Sequence, residues 1–469
     1  MTLALQLAER IVAMRADNLH KAALDWSKVG VMDTLGCTLA GVAEEAPSKV
    51  AEVIGVQLTG GESLVLGTAS RTSPLDAALI NGVAAHVLDY DNGGAHMGGH
   101  ASAVMVPALL AAAEAFDCSG ADVLVAHAAG FETGSKLGRA VHPMHYESGW
   151  HPTSTVGVFA VAAACSRLLN LTAEQTATAL ALSTSLAAGT KANFGTMVKS
   201  LHVGQCARGG LMAALLARKG FTANADAFAH KQGYFNLFNG PGKFHAERVL
   251  ENWGAPLDII EPGAAYKLYP CCYSTHAAVE AALNLVREHG PFKADDIARI
   301  DSYTAAQRLP HTDRPQPKTA LEAKFSVQYC VARAVLDGHV LMRDFDPESF
   351  QQPVMQSLLT RVHATPHLEG QFEPDQLMAA EVKVTFNNGR SVASRVMRPL
   401  GRTTENPIPP ALLKAKFEDC AATVLPVAQV KALSQTLDQF ETVKSVREFM
   451  RMLEVPVVPE VPQVQRKIA

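Results

Sequence analysis

The chain carries little net charge: 41 Lys and Arg stand against 45 Asp and Glu, a net charge of −4 over 469 residues. No basic block or stripe interrupts this balance, which argues against a nucleic-acid partner. No apolar run is long enough to span a bilayer. The longest, near 101–113 and 155–165, are Ala-rich and read as buried helices. The first segment, MTLALQLAERIVAMRADN, sets Glu9 and Arg10 inside its apolar pattern, so it reads as an amphipathic helix rather than a signal peptide. A cytoplasmic protein without a membrane partner is expected. The eight cysteines form no CxxC pair and no finger spacing, so a zinc site is not indicated and the thiols are expected to be reduced. Cys271 and Cys272 are adjacent, where a disulfide would be strained. There is no GxGxxG, no Walker A loop, no GxSxG elbow, no HxH or HExxH, no internal repeat and no low-complexity tract.

What is present describes a folded enzyme. Hydrophobic residues make up 48% and charged residues 18%, and the length suits two domains, each with its own core. Residues 1–265 read almost entirely as helix, with apolar positions at helical spacing and small residues allowing close packing. Thr172 and Gln175 make a capping box. The segment HPMHYESGWHP (142–152) reads as an exposed loop between helices near 120–140 and 153–169. After about residue 268 the character changes. Segment 297–304 alternates like a strand, and 380–396 reads as a hairpin with Val382, Val384 and Phe386 on one face and Asn388–Gly389 at the turn. Helices near 274–288 and 321–337 flank these strands, giving an α+β module. Helical signals return at 410–422, 427–440 and 444–453. The fold class is therefore mainly α. The expected organisation is an all-helical domain over 1–267 completed by 405–455, an α+β domain over 268–404, and an extended, proline-spaced tail over 456–469.

Histidine is unevenly spread. Of 17, eight fall between His86 and His202, in a stretch that opens with Asp89 and Asp91 and closes with Lys199. Histidines beside acids and a lysine suit proton transfer. Four segments concentrate this chemistry. HVLDYDNGGAHMGGHASAV (86–104) ends a helix in a glycine-rich loop where Asp89 and His100 could face one cavity. A metal reading is open there but lacks ligand spacing. GWHPTSTVG (149–157) places His151, preceded by Tyr146, at a helix start. Thr153, Ser154 and Thr155 could offer donors to an anion, or merely cap the helix. ANFGTMVKSLHVGQCARGG (192–210) holds Lys199 among small and apolar residues, suited to a substrate carboxylate unless it simply snorkels. YKLYPCCYSTHAAVE (266–280) crowds Lys267, Tyr269, Cys272 and His276 at the junction between modules, where ligand clefts form. His86 and His202 read as structural neighbours of these motifs. His96, His127, His142 and His145 read as ordinary hydrogen-bonded histidines.

Taken together, HVLDYDN…GHASAVMVPALLAAAE, HYESGWHPTSTVG, FGTMVKSLHVGQCARGG, KLYPCCYSTHAA and KFSVQY (324–329) resemble the MmgE/PrpD family, in the family's order, across about residues 1–455. That family includes 2-methylcitrate dehydratase, cis-aconitate decarboxylase and iminodisuccinate epimerase. The resemblance implies a large helical domain completed by C-terminal helices, a smaller α+β lid, a homodimer, and neither metal nor organic cofactor. It places Asp89, His100, His151, Lys199 and Lys267 in the pocket, with Tyr146 and Cys272 beside them. The chain departs from the family pattern in reading LDYDNGG where many relatives have LDFDDTH. It also has Cys272 where the decarboxylases have histidine. These changes are expected to fall in the pocket.

The expected function is a cofactor-independent lyase or isomerase acting on a small di- or tricarboxylate. Lys199 and Lys267 would hold carboxylates. His151, His100 or Tyr146 would abstract an α-proton, and Asp89 would orient a histidine. Cys272 would form a wall of the binding site. Dehydration or epimerisation is the main reading, and cis-aconitate-type decarboxylation the alternative. A carboxylate-binding protein without activity is the reading from another class.

Overall fold

Small residues set how closely the helices pack. In the computed structural model, which describes residues 1–55, 60–401 and 406–455, the helices Pro74–Val87 and Val198–Arg218 cross at Gly82 and Gly204. A Cβ on Gly82 would lie 2.8 Å from the Gly204 Cα, and one on Gly204 would lie 2.4 Å from the Leu79 carbonyl oxygen. Only glycine permits this approach. The crossing brings the segment after Val87, which carries Asp89, beside the first turn of the second helix, which carries Lys199.

Around this crossing, the helices Ala101–Phe116, Gly120–Val141 and Gly157–Leu168 bury nearly all their side chains in one continuous apolar core. These are the Ala-rich runs of the sequence. The N-terminal helix Leu3–Ala13 buries Ala4, Leu7, Ala8 and Ile11 against that core, as an amphipathic stripe should. The helices Pro410–Ala421, Val427–Asp438 and Val446–Arg451 return to it through Leu413, Phe417, Leu433, Leu437 and Phe449. Each fully buried Leu or Phe of this kind contributes about 1.5–3 kcal/mol. The Thr172–Gln175 capping box is formed.

A second core draws on residues 269–396. Its sheet runs in the order Val362–Pro366, Ile297–Thr304, Ala380–Phe386, Ser391–Val396. The first pair is parallel and the others antiparallel. Val382 and Val384 point inward, fully buried, and Gly389 takes φ +83° at the hairpin turn. The helices His276–His289 and Val327–Asp337 pack on this sheet.

Two expectations require correction. Residues 1–265 are not almost all helix. Between Lys219 and Asp258 the chain is mostly turns with short helical segments, and short strand pairs lie at 63–64 with 71–72 and at 93–94 with 264–265. Segment 142–152 is an exposed loop only in part: Pro143, Tyr146, Glu147 and Ser148 are exposed. It contains the short helix Met144–Glu147 and buries His145 and His151. Glycine and proline mark the breaks correctly, but burial depends on what packs over them, here Tyr234 and Phe238. The tail over 456–469, and residue 405, lie outside the described residues.

Candidate active site

The helix Pro74–Val87 ends at Leu88, and Asp89 adopts φ +53°, an uncommon conformation for a residue with a side chain. Three successive carbonyls here each accept a hydrogen bond from a buried lysine. Lys324 Nζ donates to Leu88 (3.1 Å), Lys267 Nζ to Asp89, and Lys416 Nζ to Tyr90 (2.8 Å). The Tyr90 hydroxyl donates to the Leu268 carbonyl at 3.0 Å. These lysines lie far apart in sequence, so the 88–90 turn is clamped by both cores and by the C-terminal helix.

The Asp89 side chain sits between two ammonium groups. Its Oδ1 is 2.6 Å from Lys199 Nζ and its Oδ2 is 2.9 Å from Lys267 Nζ. Burial pushes the carboxyl pKa up, but Lys199 and Lys267 more than offset this and hold it well below the ordinary range. Burial lowers the Lys267 pKa, and Asp89 and Asp91 together reverse the effect, leaving it raised. Lys199 does not snorkel: its side chain is 16% exposed and tied to Asp89.

Asp91 serves the histidines. Its Oδ1 is hydrogen-bonded to His86 Nδ1 at 2.9 Å, and its Oδ2 lies 2.8 Å from His100 Nδ1, at ion-pair distance but without hydrogen-bond alignment. Burial raises the Asp91 pKa, and His100 and His86 bring it well below the usual range. The expectation that Asp89 orients a histidine is therefore corrected: Asp91, two residues on, does so. The His86 and His100 rings meet edge to face, with centroids 4.4 Å apart.

His151 caps the short helix Pro152–Thr155, and its Nδ1 is 3.1 Å from His202 Nδ1. One of those nitrogens must donate and the other accept. Burial, then Lys199, then His86 and His100 hold the His151 pKa well below neutrality, so its imidazole is uncharged at pH 7. Phe194 packs edge-on against it, with centroids 4.8 Å apart. Nδ1 is engaged in both His100 and His151, and Nε2 has no protein partner in either among the described residues. The loop bearing His100 approaches His151 through Gly99, where a Cβ would lie 2.6 Å from the Thr153 nitrogen.

Asp89, His100, Tyr146, His151, Lys199, Lys267 and Cys272 all line one cavity of about 320 Å³. Burial raises the Cys272 thiol pKa, and Asp89 raises it further. Tyr269 and His276 do not line the cavity; their rings meet edge to face in the second module. The Ser154 and Thr155 hydroxyls donate to the carbonyls of His202 and His151, so they are not free for an anion. Asn92 is turned away to donate to Asp33, within the Lys416 cluster, whereas Gly93 and Cys272 do line the cavity. The other histidines have structural partners: His96 with Asp258, His127 with Ser102, His142 with the Met97 carbonyl, and His145 with Thr155. Asp91, Phe194 and Arg308 were not singled out from the sequence. Asp91 lies in the same DYD triplet as Asp89, and no residue pattern separates their roles. A larger cavity of about 690 Å³ shares Asp89, Lys199 and Phe325 with the first but lacks His100, His151 and Lys267.

His86, Asp89 and His100 place ligand-type atoms within 4.8 Å of one another. The set does not suit a cation, because both Asp89 oxygens face ammonium groups that would repel it.

The MmgE/PrpD N-terminal domain matches residues 5–247 and the MmgE/PrpD C-terminal domain matches residues 269–441. The chain belongs to the MmgE/PrpD family. It is similar to cis-aconitate decarboxylase of Homo sapiens, 29% identical over 97% of this chain and 95% of the relative. It is 26% identical to cis-aconitate decarboxylase of Aspergillus terreus (strain NIH 2624 / FGSC A1156), over 95% of this chain and 94% of the relative. It is 27% identical to the cis-aconitate decarboxylase-like protein oryM of Aspergillus oryzae, over 96% of both chains. Among the described residues, no helix is long and apolar enough to cross a membrane.

Proposed function

We propose that this MmgE/PrpD chain is a lyase for a small polycarboxylate, and that its reaction is decarboxylation of a cis-aconitate-like acid. One observation carries the reading. A cavity of about 320 Å³ combines two lysines on a shared carboxylate with two imidazoles whose Nδ1 atoms face Asp91 and His202. Lys199 and Lys267 would bind a substrate carboxylate by charge-assisted bonds in a site of low polarity. The carbon–carbon bond to a second carboxylate would break, releasing CO₂ and passing its electron pair into the adjacent double bond. The lysine-held carboxylate would spread the resulting charge, and an imidazole Nε2–H would deliver a proton to carbon. Asp91 behind His100 has the arrangement that orients an imidazole and stabilises its cation. The names of the relatives favour decarboxylation over the dehydration or epimerisation expected from the sequence.

A second reading rests on Gly93 and Cys272, the cavity positions at which the chain departs from the decarboxylase pattern. With neutral His151 as base, α-proton abstraction would lead to dehydration or epimerisation. One panel separates the readings: cis-aconitate, citrate, 2-methylcitrate, malate and iminodisuccinate in deuterated water, followed for CO₂ release and deuterium at carbon. CO₂ from cis-aconitate, with kcat/KM lowered roughly 10²–10⁴-fold in Lys199→Ala and in His151→Ala, is expected. Deuterium uptake without CO₂ selects the second reading. Binding without either reaction leaves a carboxylate-binding protein and overturns both.

A further inference from the structure

Arg308 enters the cavity from the turn after the strand Ile297–Thr304, on the second core, opposite the helices that carry His100, His151 and Lys199. Its guanidinium makes no hydrogen bond and no ion pair among the described residues, and its Nε is shielded from solvent with no partner. This sets it apart from the other cavity cations. Lys199 and Lys267 are each matched by Asp89, and among the described residues Asp89 is the only acid lining the cavity. Three cations therefore face one carboxylate, and the unmatched one is Arg308. A buried donor left unsatisfied is costly, and a guanidinium fits a carboxylate through two parallel bonds. A lysine would give only a point charge.

We propose that Arg308 is a specificity-determining residue that binds a second, distal carboxylate of the substrate, while Lys199 and Lys267 hold the first. The substrate class is then a polycarboxylate long enough to reach from one core to the other. The assignment rests on the reading of this cavity as a polycarboxylate site. It makes Arg308 a binding group rather than a proton donor; Tyr146, which lines the same cavity, feels the Arg308 charge.

The test uses propane-1,2,3-tricarboxylate, an unreactive ligand, with affinity measured by calorimetry on the full chain. Arg308→Gln and Arg308→Ala should bind it roughly tenfold to a hundredfold more weakly, with unchanged thermal midpoints. Added methylguanidinium should restore binding to Arg308→Ala and leave the wild type unaffected, a rescue that lost packing would not show. Unchanged affinity, no binding by the wild type, or a loss that methylguanidinium does not repair overturns the proposal. The two readings fail separately. Arg308-dependent binding without turnover of cis-aconitate removes the decarboxylase reading alone. Turnover with unaltered affinity in Arg308→Gln removes this one.

Discussion

Asp91 is the residue on which the proposed proton chemistry turns. One carboxylate, wholly buried, sets the position of both His86 and His100, yet it does not line the cavity. Asp91→Asn keeps the shape and removes the charge that holds the tautomers. It should lower kcat/KM for the cavity's substrate by roughly 10²–10⁴-fold, with KM little altered. The pH–rate profile should also shift, because the carboxylate that raises the His86 pKa against burial is lost. A merely structural Asp91 would lower the thermal midpoint and leave that profile where it was. This is the outcome that would remove the role.

Among the elements, the helix Pro410–Ala421 reaches the site from the far end of the chain. Its Lys416 is buried, 2.6 Å from Asp33 Oδ1 on the helix Lys21–Gly41, and it also holds the Tyr90 carbonyl. Lys416→Met would leave the Asp33 carboxylate buried and unpaired, at a cost of about 3–5 kcal/mol. Adding Asp33→Asn should recover a good part of that loss in urea unfolding. An additive double variant would show that the two groups are not coupled. This clamp also marks what was legible in the sequence. The helices around 101–116, 120–141 and 157–168, the strand 297–304 and the 380–396 hairpin could be read because spacing and turn residues are local signals. Asp89, Lys199 and Lys267 could be named from the sequence as candidates, and the fold sets them on one cavity, but their ion pairing was not legible, because it depends on the Gly82–Gly204 crossing. Arg308 carried no local signal at all. Its meaning comes from the face of the second core on which the strand's turn places it.

At the scale of the whole molecule, the helical core encloses neutral histidines, and this sets how the fold responds to acid. The pKa values of His86, His127 and His145 are lowered to about 4. Burial is the largest cause for each; at His86 it is opposed by Asp91 and reinforced by Lys199 and His100, and at His145 it is opposed by a bond to Asn239. In the unfolded chain these residues titrate near 6.5. As the pH falls below that value the unfolded state takes up protons that the native state refuses, so stability falls until about pH 4. Each histidine costs roughly 3 kcal/mol by then, against a typical total stability of about 5–15 kcal/mol. Asp89 and Asp91 act in the same direction but at lower pH. Their pKa values are held below the ordinary carboxyl range, so their stabilisation is intact above about pH 4 and is lost as the pH falls through the folded values. In the window between pH 6.5 and 4 the histidines therefore act, opposed by Glu114, Glu132 and Glu280, whose pKa values burial raises. Urea unfolding at pH 7.5, 5.5 and 4.5 should show a steep fall. His127→Gln, which keeps a polar group beside Ser102 but cannot titrate, should make that fall shallower. Equal stability at pH 7.5 and 4.5 would mean that these histidines are not held neutral by burial.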